Sequence, residues 1–201
     1  MEFIFIISLW IGAVAALLIM WARLDRQAPA GLRAVAFLAS LCLLIIVAAC
    51  PAVIYHMLLV ARGKSNQISC MTNLSNIGSA LALYEADQGA LPGESWNDQI
   101  AYRTSQEDFR CPELDEDYGY SLNSGALWMK TGSILTPSSF VVLFDGPGGA
   151  NRVGGADTVQ YRHAADTALF LFADGRAASV NRRKADSLTW HENLNLKQDV
   201  K

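Results

Sequence analysis

Few side chains in this chain are of a type that does chemistry, and their spacing narrows what that chemistry is. His163 and Asp174 are the pair that invites a catalytic reading, an imidazole at the end of one strand candidate and a carboxylate in the turn after the next. A base of this kind needs a nucleophile within hydrogen-bond reach, and no serine stands on a G-x-S-x-G elbow. The pattern suits structure better: Asp174 makes a turn and His163 hydrogen-bonds a loop. Asp145, Asp157, Asp166 and Asp174 fall at loop or strand ends beside a glycine-rich stretch, and oxygen ligands so placed suit Ca²⁺. Glu107, Asp108, Glu113, Asp115, Glu116 and Asp117 form a second acidic group without EF-hand spacing, which reads as a solvated loop. The chain has no G-x-x-x-x-G-K-[ST], no H-E-x-x-H and no paired C-x-x-C. The expectation is a protein that is not an enzyme and needs no cofactor, calcium being the one ion these carboxylates suit.

The cysteines add a second kind of chemistry. Cys42 and Cys50 lie in an apolar run, where a small apolar filler is the plain reading. Cys70 and Cys111 lie in the polar part of the chain. Two cysteines there, in an oxidising compartment, read as one disulfide, worth ~3–4 kcal/mol for a loop of about 40 residues. Two free thiols are the other reading.

The elements that must hold these residues begin with two apolar runs. Phe3 to Trp21 carries no charge, and Ala34 to Ala61 has no Asp, Glu, Lys or Arg, with His56 as its one basic side chain. A hydrocarbon core ~30 Å thick takes about 20 helical residues, so the first run just suffices and the second overshoots or tilts, with a kink expected at Pro51. Ala28-Pro29-Ala30 has the form of a signal-peptidase site, but no Lys or Arg precedes the first run, and Arg23, Asp25 and Arg26 separate it from that site. Residues 1–61 are therefore read as a transmembrane hairpin. Arg23, Arg26 and Arg33 in its connecting loop outweigh Arg62 and Lys64 at the exit, which puts the loop in the cytoplasm and both termini outside. That predicts a two-span protein of the cytoplasmic (inner) membrane with an extracytoplasmic, periplasmic head. Its lipid partner is the bilayer, and a formal net charge of -3 gives no case for nucleic acid.

The head is read as residues 62–180, with a polar tail, 181–201, anchored by Trp190. Cys70, Leu74, Ile77, Leu81 and Tyr84 recur at intervals of four and three, one apolar face of a helix that should stop near Gln88, before Gly89 and Pro92. Residues 93–135 show no regular pattern. Strands are expected at Ser139–Phe144, Thr158–Arg162 and Ala168–Ala173, and the last should turn back through Asp174-Gly175 into 176–180. The fold class is α+β: the second membrane helix extends into a head with a small antiparallel sheet.

Three segments in order carry a resemblance. ISCMTNLSNIGSALALYEADQGALP, with Ser69, Cys70, Asn73, Leu74, Ile77, Gly78 and Tyr84, resembles the exit of the long N-terminal helix of pilin-like proteins of the type II secretion and type IV pilus class. FRCP and YGYSLN resemble the middle of the same proteins. RHAADTALFLFADGRAASV, with Arg162, His163, Asp174 and Gly175, resembles the C-terminal hairpin of the DUF1559 or H-x9-DG type, with ten residues here between the histidine and the Asp-Gly. The resemblance implies a long helix packed on a small sheet, a structural or interaction role at the cell envelope, and other pilin-like or secretion-system subunits as partners. It also implies that Cys70–Cys111 would pin the helix to the middle loop. Around Gly31 the chain reads AGLRAVAF, with Ala36 where a processed pilin carries its glutamate; retention in the membrane is expected rather than entry into a filament. The alternative class is a membrane-tethered binding or sensing module, using the 146–155 loop and the 107–117 acidic group.

Overall fold

The computed structural model describes residues 12, 14–16, 19 and 29–191. The first apolar run lies almost wholly outside the described residues; those seen within it are helical. The chain divides into two compact units, Met1–Ala61 and Arg62–Lys201.

Helix α1, Ala30–Gln88, is a single element of 59 residues that continues through Pro51. Among the described residues it is the one helix long and apolar enough to cross a membrane, and only 6 % of its most apolar stretch is buried. Leu38, Ile45, Met57 and Leu58 are all exposed. The Ser40 hydroxyl donates to the Ala36 carbonyl at 2.8 Å, which satisfies a polar group inside the helix itself. The helix ends as its sequence requires. Gly89 has φ of 81° and donates its N–H to the Glu85 carbonyl at 2.7 Å, the left-handed cap that glycine adopts without a Cβ clash.

In the second unit the anticipated stripe is buried. Cys70, Leu74 and Ile77 have no exposed surface, and Leu81 has almost none. They pack on one face of a five-stranded sheet of order β3-β1-β2-β4-β5, formed by β1 (Tyr120–Asn123), β2 (Val141–Asp145), β3 (Val153–Gly154), β4 (Thr167–Phe172) and β5 (Ala177–Asn181). The sheet is mixed rather than wholly antiparallel. β3 reverses direction after β2 but crosses to the far side of β1, and so runs parallel to β1 with Leu122 opposite Val153. Strand β1 lies in a region without an apolar pattern; Ser121 and Asn123 occupy buried positions that period-two reading assigns to apolar groups.

β2 and β4 are the central strands and are covered on both faces. Leu169 and Leu171 face α1, while Ala168, Phe170 and Phe172 join Val141 and Phe144 on the other side. The β2–β4 register shifts between Val141 and Leu143, and this irregularity puts Val142 and Leu143 together on the helix side. The far face is closed by residues expected in the tail. The Trp190 ring meets Phe144 edge-on, with centroids 5.1 Å apart, and Thr189 pairs with Phe140. The packed head therefore reaches beyond residue 180.

The strand expected at Thr158–Arg162 does not form. Ala156–Thr158 is a 3-10 turn, and Val159 and Tyr161 alternate because they pack against the far face, not because they join a ladder. The Asp174-Gly175 hairpin does form. The Gly175 N–H donates to the Phe172 carbonyl at 2.9 Å, and Gly175 alone takes positive φ, 82°; Asp174 instead accepts the Arg176 N–H at 3.0 Å.

Candidate functional site

Four segments converge beneath the sheet. Cys70 is carried by the buried stripe of α1. Cys111 follows a 3-10 helix, Gln106–Phe109, that is closed by a capping box between Ser105 and Asp108. Two bonds hold that segment against α1 and the sheet: the Asn73 amide donates to the Arg110 carbonyl at 2.7 Å, and the Gly119 N–H donates to the Phe109 carbonyl at 2.8 Å. A Cβ on Gly119 would lie 2.7 Å from the Cys111 Cβ, so this approach needs glycine. Asp145 ends β2. His163 precedes β4, bridged to Thr167 across a turn in which Ala165 and Asp166 both adopt left-handed backbone, φ of 59° and 54°. That conformation is costly for alanine, and the Asn181 amide donates to the Ala165 carbonyl to hold it.

The Cys70 and Cys111 Sγ atoms are 2.9 Å apart, and no disulfide joins them. The separation exceeds the ~2.05 Å of a disulfide. Cys111 Sγ is 3.9 Å from His163 Nε2, and that nitrogen is 3.1 Å from Asp145 Oδ2. The same oxygen accepts the Leu169 N–H at 2.8 Å. Side-chain exposure is 1 % for His163 and 0 % for Asp145. Asp145 Oδ1 and His163 Nδ1 are buried without a hydrogen-bond partner. The Tyr120 hydroxyl lies against the Cys70 and Arg110 carbonyls, at 3.3 and 3.4 Å, and roofs the sulfurs.

The electrostatics distribute the protons unevenly. Cys70 is pushed far up because it donates to Cys111 and is buried. Cys111 is lowered to about 5, chiefly by that same hydrogen bond and, against its burial, by His163. Burial opposes the charged form of His163, but its contacts with Asp145 and Cys111 prevail and raise it to about 9. The arrangement therefore favours a Cys111 thiolate between a thiol and an imidazolium. Such a group is a nucleophile or a metal ligand, and its burial withholds it from any solute in bulk water.

The expected residues separate clearly. Cys70, Cys111 and His163 meet; among the described residues they form the group of His, Cys, Asp or Glu side chains close enough to share one ion. The four aspartates proposed for calcium are not brought together. Asp145 belongs to the cysteine site, Asp166 pairs with Arg182 at 3.0 Å, Asp174 serves the hairpin with Arg176, and Asp157 sits in the 3-10 turn. His163 is partnered by Asp145 and not by Asp174. Within the acidic group, Arg110 lies 3.6 Å from both Glu107 and Asp117, and Glu113 accepts the Asn66 amide at 2.8 Å.

The remaining motif residues are structural. Ser69 bonds the Ser65 carbonyl, Gly78 lets the helix approach Leu171, and the Tyr84 hydroxyl donates to Gln99 at 2.6 Å. Arg162 donates to the Gly146 carbonyl. The 146–155 loop is tied down, with the Arg152 carbonyl accepting the Trp96 indole N–H at 3.0 Å. Sequence reading missed Asp145 as the partner of His163. The available signal was a carboxylate ending a fully apolar strand, a position that demands a buried partner.

No family model, no curated protein and no solved structure matches the chain.

Proposed function

We propose that this protein is a membrane-anchored, pilin-like component of the cell envelope whose role is structural or interactive rather than catalytic. In this reading residues 1–61 form a two-span anchor in the cytoplasmic membrane, and the second span leads into an extracytoplasmic head that meets other pilin-like or secretion-system subunits. The observation that carries it is the change of character along α1. Its described apolar side chains up to Val60 are mostly exposed, whereas from Cys70 onward one face is buried against the sheet. Apolar residues exposed around a whole helix need an apolar solvent, and lipid supplies one. The single long helix on a small sheet is also the arrangement that the resemblance implies.

Burial of the one chemically perturbed cluster among the described residues supports a non-catalytic role. Cys70, Cys111 and His163 are all buried, and burial of this kind suits holding structure better than turning over substrate. The test is fractionation of the full chain with alkaline carbonate extraction, together with a reporter fused at residue 150 and intact-mass measurement. Retention in the carbonate-resistant pellet, an extracytoplasmic reporter and an uncleaved mass are expected. Release by carbonate or a cytoplasmic reporter overturns the anchor or its orientation, and cleavage near Gly31 replaces the permanent anchor with a processed subunit. In-membrane crosslinking that yields only uncrosslinked chain would remove the assembly role.

A further inference from the structure

We propose that Cys70, Cys111, His163 and Asp145 are the four ligands of a buried structural site for a thiophilic divalent cation, with zinc the best match. The donor set is two thiolates, one imidazole nitrogen and one carboxylate oxygen, the chemistry that selects zinc over calcium or magnesium. The cysteine sulfurs and the histidine nitrogen all lie within 4.8 Å of one another, and Asp145, outside that group, adjoins it through His163. Tetrahedral zinc, with bonds of about 2.0–2.3 Å, sets its ligand atoms about 3.2–3.8 Å apart. His163 Nε2 is already 3.1 Å from Asp145 Oδ2 and 3.9 Å from Cys111 Sγ. The Sγ–Sγ separation of 2.9 Å has to open by about 0.9 Å to reach that spacing, and the Asp145 carboxylate has to close on the sulfurs, changes made by side-chain rotation.

A disulfide is the competing use of the same sulfurs, and it accounts for less. It joins α1 to the 111 loop and leaves the buried His163 and Asp145 outside the cross-link. A cation uses all four side chains and clamps α1, the 111 loop, the end of β2 and the start of β4 at one point. The Leu169 N–H that bonds Asp145 Oδ2 then acts as the outer-layer contact that orients a carboxylate ligand. Four protein ligands leave no open position, which is the signature of a structural rather than a catalytic site. Cation binding releases to solvent the protons that the ligands carry in the empty site, and no electron changes hands.

This inference rests on residues 70–163 and on no part of the membrane argument, so failure of the fractionation test leaves it standing. The experiment purifies the full chain in detergent without chelator, then measures bound metal and the state of the cysteines. About one zinc per chain with no Cys70–Cys111 crosslink is expected. If the protein emerges metal-free with free thiols, Co²⁺ is added under reducing conditions. The thiolate-to-cobalt charge-transfer and intense visible bands of a tetrahedral site then support the proposal, and their absence overturns it. Metal-free protein with Cys70 and Cys111 crosslinked also overturns it. Cys111→Ser and His163→Ala should abolish the cobalt bands, whereas Asp157→Asn should leave them intact. Because a ligand variant can fail to fold, a second readout uses the unaltered chain: a strong chelator should lower its melting temperature, and an unchanged melting temperature in metal-loaded protein sinks the structural role.

Discussion

The two parts of helix α1 share one backbone geometry and differ in everything their side chains meet. Up to Ala61 the described apolar residues are mostly exposed, as with Ile46 and Met57. From Cys70 to Leu81 they fall on one face and are buried, while Ile68, off that face, is 67 % exposed. Both parts share the α-helical backbone ladder, apart from the N–H that Pro51 lacks. The difference lies in where apolar area is removed from water. In one part the described residues leave it exposed on a stretch long and apolar enough to cross a membrane; in the other the sheet buries it, at ~25 cal/mol per Å². The one helix thus carries two patterns of burial because its periodicity changes partway along.

The strongest break of this comparison is a carboxylate placed in each part. Ile77→Asp buries an unpaired charge in the core and should cost more than about 4 kcal/mol, enough to unfold the head. Ile46→Asp should leave the head's melting temperature unchanged and weaken membrane insertion by about 2.5–3.5 kcal/mol. Thermal denaturation in detergent and carbonate extraction read the two effects separately, and a head that melts equally early in both variants would refute the division. Leu74→Ala comes next. It opens a cavity between α1 and the sheet and should cost about 2–5 kcal/mol in chemical denaturation.

Smaller effects sharpen the picture on the polar flank of the buried stripe. Asn73→Ala removes the bond to the Arg110 carbonyl and should cost about 1 kcal/mol. It should also increase amide exchange in the 106–111 segment. Asp108 offers a pH test. Burial raises its carboxyl pKa, but hydrogen bonds from Asn76, Thr104 and the Ser105 N–H outweigh that and hold it below its ordinary 3.8. A depressed carboxyl contributes stability that is present above the unfolded value and lost as pH falls through the lower folded value. Asp108→Asn should therefore flatten the acid limb of a melting-temperature profile below about pH 4 and change little at neutrality. Smallest of all, Ile68→Ser on the exposed face should stay within about 0.5 kcal/mol of the parent; a large loss there would mean that this face is covered.

Much of the fold was legible because its signals are local. The stripe of Cys70, Leu74, Ile77 and Leu81, the stop at Gly89, the apolar runs of β2 and β4 and the Asp-Gly turn each depend on residues a few positions apart. What escaped was written in polar residues doing buried work. β1 hides Ser121 and Asn123, and the Asn123 amide donates to the Val141 and Trp190 carbonyls at 2.7 and 2.8 Å; no alternation marks such a strand. Val159 and Tyr161 misled in the opposite direction, since burial on the far face imitates the period of a strand. The cysteine site was half legible. Counting cysteines brought Cys70 to Cys111, but nothing in the spacing of His163 pointed to Asp145 rather than Asp174.

The sequence by itself determined the long helix, its change from all-round to one-sided apolarity, the central strands and the hairpin that joins the last two. These follow from side-chain periodicity and turn stereochemistry, which act over one or two turns of chain. Only the tertiary structure decided that β3 lies parallel to β1, that Trp190 closes the far face, and that Cys70, Cys111, Asp145 and His163 share one buried point. The sulfurs are 41 residues apart, and Cys111 is 52 from His163. Such meetings carry no local signature, because the packing of α1 on the sheet chooses which distant residues end on the same side and how far they stay from water.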